Sequence, residues 1–388
     1  MNPSPRHRPL VAALLAILTL GAIGARRDAP PPADLVLTGG RYLDIRGGVL
    51  RANGAIEIRN GMVAAIHPPE SGWRPPASAR IIPLDQRVVI PGLIDAHVHL
   101  TLAGAPAVNA AATLRAGFTT VADLGSADGA GIRLRDDIAA GRVIGPLIVA
   151  AGSWIGMKGG VCEFGGATVA TPEEAGRRAR ADLLAGADLL KVCVTGWPAE
   201  AVAFPDSVQM GDALLAPVLA AATERKRPVY AHAIGQAGAL LAARAGVRVL
   251  AHTPVVDSSG AARLRATGVW VISTLATLTR GAGGPEVLAS FRRLRRAGVP
   301  IVLGTDAGVL PHGQNARELV ALTEAGLTPL ETLRAATLDA AALLQLRDAG
   351  EILTGARADL VILEGDPLAD VRVTERPVMV IGAGRVLE

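Results

Sequence analysis

The chain has 388 residues, of which 50% are hydrophobic and 19% are charged, and its formal net charge is +4. This much apolar sequence excludes an intrinsically disordered protein, and the length suits one barrel-sized domain with an appendage. The small net charge and the 3% of aromatic residues argue against a nucleic-acid-binding protein. Only two cysteines are present, Cys162 and Cys193, which excludes a disulfide scaffold and a four-cysteine zinc site.

Residues 1–25 are typical of an export signal. Two arginines precede an apolar stretch over residues 10–25, which is shorter than the roughly 20 residues that a membrane-spanning helix needs. Cleavage near Ala25 would give an exported protein, in the periplasm or another extracytoplasmic compartment. Two arginines directly after this point leave an uncleaved membrane anchor as the alternative. Residues 26–33 then form a proline-rich linker.

Short strands and turns are predicted over residues 34–90. Asn-Gly pairs at Asn53 and Asn60 separate apolar runs, and each pair predicts a β-hairpin. Residues 351–388 show the same pattern of short apolar runs and turn residues, and they show no helical period. We therefore predict one small β-sandwich built from both chain ends.

Between these ends, residues 91–350 alternate eight apolar runs with amphipathic helical stretches. Continuous β-branched runs are typical of strands buried on both faces, and intervening helices make such strands parallel. Thr-Pro-x-Glu boxes at Thr171 and Thr328 mark two helix starts. The pattern predicts an α/β fold, a (β/α)8 TIM barrel, which usually takes about 250 residues. A doubly wound open sheet is the alternative, but no glycine fingerprint follows the first strand.

The candidate active site consists of polar residues at strand ends, because the active site of a parallel barrel lies where its strands end. His97 and His99 are two residues apart on the first strand, so both point to one face. Each candidate alone could be a core histidine or a helix cap. Four imidazoles and a carboxylate together are costly to bury, and a divalent metal ion is their natural partner. The later strands supply Lys191 on the fourth, His232 on the fifth, His252 on the sixth and Asp306 after the eighth.

Lys191 is the most informative single residue. An ammonium group beside a divalent cation is repelled, so a lysine there must be deprotonated, displaced or modified. Reaction with carbon dioxide converts lysine to a carbamate, an anion that can bridge two metal ions, whereas arginine stays charged. The chain has three lysines among 39 basic residues, which makes this one notable. An inward lysine paired with a carboxylate such as Asp306 is the alternative.

At these positions the sequence resembles the amidohydrolase superfamily, in its imidazolonepropionase-like and Xaa-Pro dipeptidase-like branch. The resemblance runs from about Asp34 to Glu388, and its most specific stretches include PGLIDAHVHL (91–100), LLKVCVTG (189–196) and GVPIVLGTDAG (298–308). It implies a metal-bearing barrel beside a β-sandwich made from both chain ends.

The resemblance also implies a set of ligands for two zinc ions per chain. A first ion would be bound by His97, His99 and Asp306. A second ion would be bound by His232 and His252, with carboxylated Lys191 as the bridge.

The function implied is metal-assisted hydrolysis. The metal lowers the pKa of a bound water and polarises the carbonyl under attack, while Asp306 acts as general base and then as general acid. The expected substrate is a small molecule with an amide-type C–N bond, in a dipeptide, an N-acyl amino acid or a cyclic amide. Alternatives are a mononuclear deaminase or imidazolone hydrolase, and a lactone or phosphotriester hydrolase. The intact Asp306 disfavours a barrel that binds without turnover.

The sequence departs from its relatives near the predicted pocket. Gly-Gly-Val-Cys over residues 159–162 replaces a frequent Gly-Gly-His-Gly, and Ile234 stands where a second histidine is common. The candidates for substrate contact are Cys193, His312 and Asn315. The alternative role for Cys193 is packing or a disulfide with Cys162, and the alternative role for His312 and Asn315 is helix capping.

A membrane contact is expected only through an uncleaved anchor, and homo-oligomerisation is left open.

Overall fold

The computed structural model describes residues 35–281 and 283–387, so the predicted export signal and linker lie outside the described residues. Within those ranges, no helix combines the length and the apolar character needed to cross a membrane. The strands are β1 (Leu35–Asp44), β2 (Val49–Ala52), β3 (Ala55–Arg59), β4 (Met62–His67), β5 (Arg80–Pro91), β6 (Leu93–Val98), β7 (Phe118–Asp123), β8 (Leu147–Met157), β9 (Thr168–Val169), β10 (Leu189–Cys193), β11 (Val229–His232), β12 (Val249–Leu250), β13 (Trp270–Ile272), β14 (Ile301–Val302), β15 (Leu360–Leu363), β16 (Met379–Gly382) and β17 (Arg385–Val386).

Most helices alternate with the strands of the middle region. They are α1 (Pro106–Arg115), α2 (Ala130–Ala139), α3 (Pro172–Leu184), α4 (Pro198–Ala203), α5 (Asp212–Glu224), α6 (Gln236–Ala245), α7 (Ser258–Thr267), α8 (Leu275–Leu278), α9 (Gly284–Ala297), α10 (Arg317–Glu324), α11 (Pro329–Ala335) and α12 (Leu338–Leu343). The predicted capping boxes are present, since Thr171 caps α3 and Thr328 caps α11, each with reciprocal bonds to a glutamate.

The two chain ends form one mixed sheet. Its order is β17-β16-β15-β5-β1-β3-β4, with β2 also on β1. Strand β5 joins the two ends because it pairs in parallel with β1 and antiparallel with β15. Buried aliphatic side chains from both ends pack into a common cluster that includes Leu37, Ile58 and Ile362.

One of the two predicted hairpins is present and the other is wrong. Asn60 and Gly61, at φ of 50° and 76°, form the tight turn between β3 and β4. The pair at Asn53 instead separates β2 from β3, and both of these strands lie against β1. The Asn53 side chain is buried and donates to the carbonyls of Leu37 and Gly39, which explains why an asparagine interrupts the strand there.

The predicted (β/α)8 barrel is confirmed. In the described residues, eight parallel strands (β6 to β8 and β10 to β14) follow each other in chain order, and each matches one predicted apolar run. The barrel is nearly closed, because Ala96 N donates to Leu303 O at 3.0 Å and Asp306 N donates to His97 O at 2.8 Å. These contacts place the first and last strand ends side by side.

Helix α3 is fixed to strand β8 by a buried carboxylate. The Ser153 backbone N and its Oγ donate to Asp182 Oδ2 at 3.0 and 2.6 Å. Arg178 Nε lies 3.3 Å from the other oxygen of Asp182 and donates to Ser153 Oγ at 2.8 Å. This network holds the strand that carries Trp154.

Replacing Asp182 with Ala should lower the free energy of unfolding by about 1–3 kcal/mol, because the buried Ser153 donors lose their acceptor. The matched control is Asp136→Ala on α2, whose side chain is 57% exposed and pairs with Arg135. That change should cost about 0.5 kcal/mol or less. Urea denaturation followed by circular dichroism measures both, and equal losses in the two variants would contradict the assignment.

Candidate functional site

A cavity of about 1000 Å³ opens at the carboxyl ends of the barrel strands. Its base collects ionisable side chains that come from five different strands or strand ends. All six residues predicted as metal ligands line it, namely His97, His99, Lys191, His232, His252 and Asp306.

Three of these side chains direct one atom each to a common point. The Nε2 atoms of His97 and His99 lie 3.2 Å apart, and each lies 3.3 Å from Asp306 Oδ1. Ligands about 2.0 Å from a tetrahedral ion lie about 3.3 Å from one another, so the spacing suits zinc. Among the described residues, this is the group of three whose ligand atoms are close enough together to hold a metal ion.

The other two histidines continue the same arc. Ring centroids are 4.8 Å apart for His97 and His252 and 4.6 Å apart for His252 and His232. Each of these two rings has one polar partner. His232 Nε2 lies 3.0 Å from Gly196 O, and His252 Nδ1 lies 3.0 Å from Thr274 Oγ1. The four imidazoles therefore form a continuous row along the base of the cavity.

Lys191 lies among these rings without a hydrogen-bond partner of its own. Its side chain is buried, and in the described part of the chain no group accepts a hydrogen bond from Nζ. Burial lowers the pKa of Lys191 to about 7, an effect that Asp306 partly opposes. The alternative role for Lys191, an ion pair with a carboxylate such as Asp306, is not seen among the salt bridges of the described residues.

The electrostatics of the base favour deprotonated ligands. Burial, together with the nearby lysine, lowers the pKa of His97 well below its ordinary value and that of His232 to about 4. Burial alone would raise the pKa of Asp306, but His97, His99 and His252 together lower it well below its usual range. Neutral imidazoles and an ionised carboxylate are the forms that bind a metal ion.

Two residues at the site adopt left-handed backbone conformations. Asp306 has φ of 58° and Thr274 has φ of 47°, which are uncommon for residues with a Cβ atom. Backbone bonds fix both, since Asp306 N donates to His97 O and Thr274 N donates to Gly304 O. Backbone strain of this kind often accompanies functional sites.

A buried carboxylate, Asp95, ties the first and last strands together behind the ligands. Its Oδ1 accepts from the backbone N of His97 at 3.1 Å and of Thr305 at 3.0 Å. Its Oδ2 accepts from Thr305 Oγ1 at 2.7 Å and Asn315 Nδ2 at 2.8 Å. His97 is a candidate ligand and Thr305 directly precedes another, Asp306, so Asp95 positions His97 relative to Asp306. The period of two that singled out His97 and His99 also includes Asp95, but the sequence analysis missed it.

Two further buried carboxylates also escaped the sequence analysis. Glu318 accepts from Ser273 Oγ at 2.5 Å and from the backbone N of Leu275 and Ala276, which fixes the turn that holds Thr274. Asp123 ends β7, and burial raises its pKa to about 7 while nearby His99 opposes the rise. Asp123 satisfies the rule that selects polar residues at strand ends, so the sequence could have identified it.

The three predicted substrate contacts have other partners, and none of them lines the cavity. Asn315 is fully buried against Asp95. His312 Nδ1 lies 3.3 Å from Thr113 Oγ1. Cys193 is bonded to Cys162 in a disulfide, with Cα atoms 6.2 Å apart, so it offers no free thiol. Cys162, rather than Cys193, contributes to the cavity lining.

The family is decided by comparison with known sequences. A model of the amidohydrolase family matches residues 88–387, from the end of β5 to the last described residue. The chain belongs to the amidohydrolase family. The predicted family resemblance is thereby confirmed, and this amidohydrolase is a hydrolase.

Individual relatives of this amidohydrolase carry several names. It is 27% identical over 354 residues to ochratoxinase from Aspergillus niger, and this match covers 75% of this chain and 73% of that protein. It is 36% identical over 182 residues to imidazolonepropionase from Cereibacter sphaeroides, which covers 44% of each. A solved Xaa-Pro dipeptidase with bound methionine has a TM-score of 0.82 at 27% identity and covers 91% of this chain and 99% of that one.

Replacing Asp95 with Ala should weaken zinc affinity about 10- to 100-fold, because His97 and Asp306 lose the group that aligns their backbones. The matched control is Asp257→Ala, which removes the carboxylate that caps α7 by accepting from Gly260 N. The control should lose about 1 kcal/mol of stability and keep its zinc affinity.

Isothermal titration of metal-free protein with zinc gives both affinities, and circular dichroism gives the folded fraction of each variant. Native zinc affinity in the folded Asp95→Ala protein would contradict the positioning role.

Proposed function

We propose that this amidohydrolase cleaves an amide-type C–N bond of a small molecule at a centre of two zinc ions. The observation that carries the proposal is the convergence of three ligand atoms beside a buried lysine amine that has no hydrogen-bond partner. A cation would bind the three converging ligand atoms, and the buried amine without a partner is costly unless it is deprotonated or modified.

The ligand set divides into two neighbouring groups. His97, His99 and Asp306 would hold the first ion, and His232 with His252 would hold the second. When bound, the metal supplies a water of lowered pKa and a polarised carbonyl. The lowered pKa values of His97, His232 and His252 support metal binding near neutral pH, since these three rings need not lose a proton.

Lys191 is proposed as the bridge in a modified form. With a pKa of about 7, much of the Nζ amine is neutral at neutral pH and able to attack carbon dioxide. A bond forms between Nζ and the carbon, one proton leaves, and the product is a carbamate anion. An anion in place of a cation would remove the repulsion between this side chain and the metal ions.

Asp306 is proposed as the proton carrier. Its carboxylate faces the cavity beside His97 and His99, and its backbone is held by the bond to His97 O. It would accept a proton from the attacking water and deliver it to the leaving nitrogen. The depressed pKa of Asp306 keeps it ionised before the reaction begins.

The activities after which several relatives are named support a C–N bond as the target. They include a Xaa-Pro dipeptidase, a prolidase complexed with N-methylphosphonate-L-proline, and imidazolonepropionase. Opening of a lactone or a phosphotriester would use the same site but has no comparable support.

A mononuclear hydrolase is the second candidate. The observation that favours it is that, in the described residues, only His97, His99 and Asp306 bring three ligand atoms together. His232 Nε2 already lies 3.0 Å from Gly196 O. In that case Lys191 would have no role in binding metal, and deamination or imidazolone ring opening would be the reaction.

Export of the protein is also a proposal. It rests on the sequence of residues 1–25, which lie outside the described residues. The disulfide between Cys162 and Cys193 supports it, because disulfides persist in oxidising compartments such as the periplasm.

Replacing Lys191 with Ala should remove one of two zinc equivalents and most amide hydrolysis, because the bridging anion is lost. Lys158→Ala is the matched control, since Lys158 is exposed and does not line the cavity. Protein without residues 1–25 is reconstituted with zinc and bicarbonate, and metal content and hydrolysis of dipeptides and N-acyl amino acids are then measured. Unchanged metal content and full activity in Lys191→Ala would contradict the bridge.

A further inference from the structure

The upper wall of the cavity is uncharged. Apart from the six candidate ligands at the base, no lining residue among those described carries an ionisable side chain. Cys162 is held in the disulfide, and the Thr277 hydroxyl already donates to Thr305 O at 2.8 Å. The wall above the ligands is otherwise formed by aliphatic, aromatic and glycine residues.

Aromatic rings on this wall form a row that leads from the ligands to the surface. The Trp154 ring lies 5.4 Å from the His99 ring and 5.1 Å from the Phe164 ring, measured between centroids. Phe164 and Trp197 are stacked, with centroids 6.2 Å apart and planes at 22°. We name Trp154, Phe164 and Trp197 the aromatic wall.

The inner end of the aromatic wall is built into the fold. Trp154 is buried, and two glycines allow backbone to approach its indole. A Cβ atom on Gly125 would lie 2.6 Å from the Trp154 Nε1 atom, and one on Gly165 would lie 2.4 Å from its Cε3 atom. The disulfide from Cys162 to β10 anchors the segment that carries Phe164.

The outer end of the aromatic wall is exposed to solvent. Phe164 is 57% exposed and Trp197 is 55% exposed, although the chain has only four Phe, four Trp and two Tyr residues. Apolar side chains gathered at the mouth of a cavity are typical of a ligand-binding surface. Flat rings of this kind stack favourably on other flat rings, beyond the effect of the apolar area that the pair buries.

We propose that the substrate is an uncharged amide that carries a large planar aromatic group. The aromatic group lies along the aromatic wall, and the amide reaches the candidate ligands at the base. The bond cleaved rests on the proposed function above, whereas the aromatic subsite does not. A free carboxylate on that group would enter an apolar wall in which no described residue offers a cation, which is unfavourable. Dipeptides and N-acyl amino acids lie outside this class, because each carries a free carboxylate.

The test uses metal-free protein, so that binding is measured without turnover. The probes are N-(2-naphthyl)acetamide, the same ring with a carboxylate (6-acetamido-2-naphthoate), and the non-planar N-cyclohexylacetamide. Isothermal titration should show binding of the neutral naphthyl probe, with at least tenfold weaker binding of each of the other two.

Variants then locate the subsite. Phe164→Leu and Trp197→Ala should each weaken binding of the naphthyl probe about tenfold, because one stacked ring is lost. Phe204→Ala is the matched control, since Phe204 is 66% exposed but is not among the lining residues. Native affinity in Phe164→Leu and Trp197→Ala, or tighter binding of the carboxylate probe, would overturn the proposal.

Hydrolysis by the zinc-reconstituted protein separates the two proposals. Wall-dependent binding of the naphthyl probe supports the subsite even if no amide is cleaved, a result that would contradict only the proposed function. Cleavage of dipeptides without wall-dependent binding of the naphthyl probe would overturn the subsite and leave the proposed function standing.

Discussion

Six ionisable side chains are buried together where the barrel strands end, and this constraint organises much of the surrounding structure. Burial lowers the pKa values of His97, His232, His252 and Lys191, whereas the neighbouring histidines keep the Asp306 carboxylate ionised. Several buried polar atoms of this group, among them Lys191 Nζ, have no hydrogen-bond partner in the described part of the chain. Supporting groups hold them in place. Asp95 joins the first and last strands, and Glu318 fixes the turn that brings Thr274 to His252. The metal centre proposed above would bind the three ligand atoms that converge at Asp306.

The base and the wall of the cavity differ in polarity. Among the described lining residues, the ionisable groups lie at the base, where Asp306 and Lys191 lie among the histidines, and the wall above is apolar. The inner end of the aromatic wall, Trp154, lies beside His99, which is one of the first group of candidate ligands. Its outer end, Trp197, lies at the surface. A planar group lying on this wall would therefore place the bond attached to it close to the ligands. The disulfide to β10 links the two parts, because the same strand carries Lys191.

The barrel and the convergence of the six candidate ligands could be predicted from sequence because both depend on local patterns. Each barrel strand is a continuous apolar run, and each candidate ligand lies at the end of one, so the topology of a parallel barrel brings these side chains together. What could not be predicted depends on contacts between distant segments. Asn315 donates to Asp95, which is 220 residues away in the sequence, and Phe164 stacks with Trp197, which lies in a different loop. The Asn-Gly pair at Asn53 was misleading because the turn signal is local, whereas the pairing of β2 and β3 with β1 is not.

The most direct test of the metal centre is anomalous X-ray diffraction at the zinc absorption edge. Crystals would be grown from protein reconstituted with zinc and bicarbonate. Two anomalous peaks are expected in the cavity, one at His97, His99 and Asp306 and one at His232 and His252, with carboxylate density on Lys191 Nζ. A single peak with an unmodified lysine would contradict the two-metal account, and no peak in the cavity would contradict the metal centre itself.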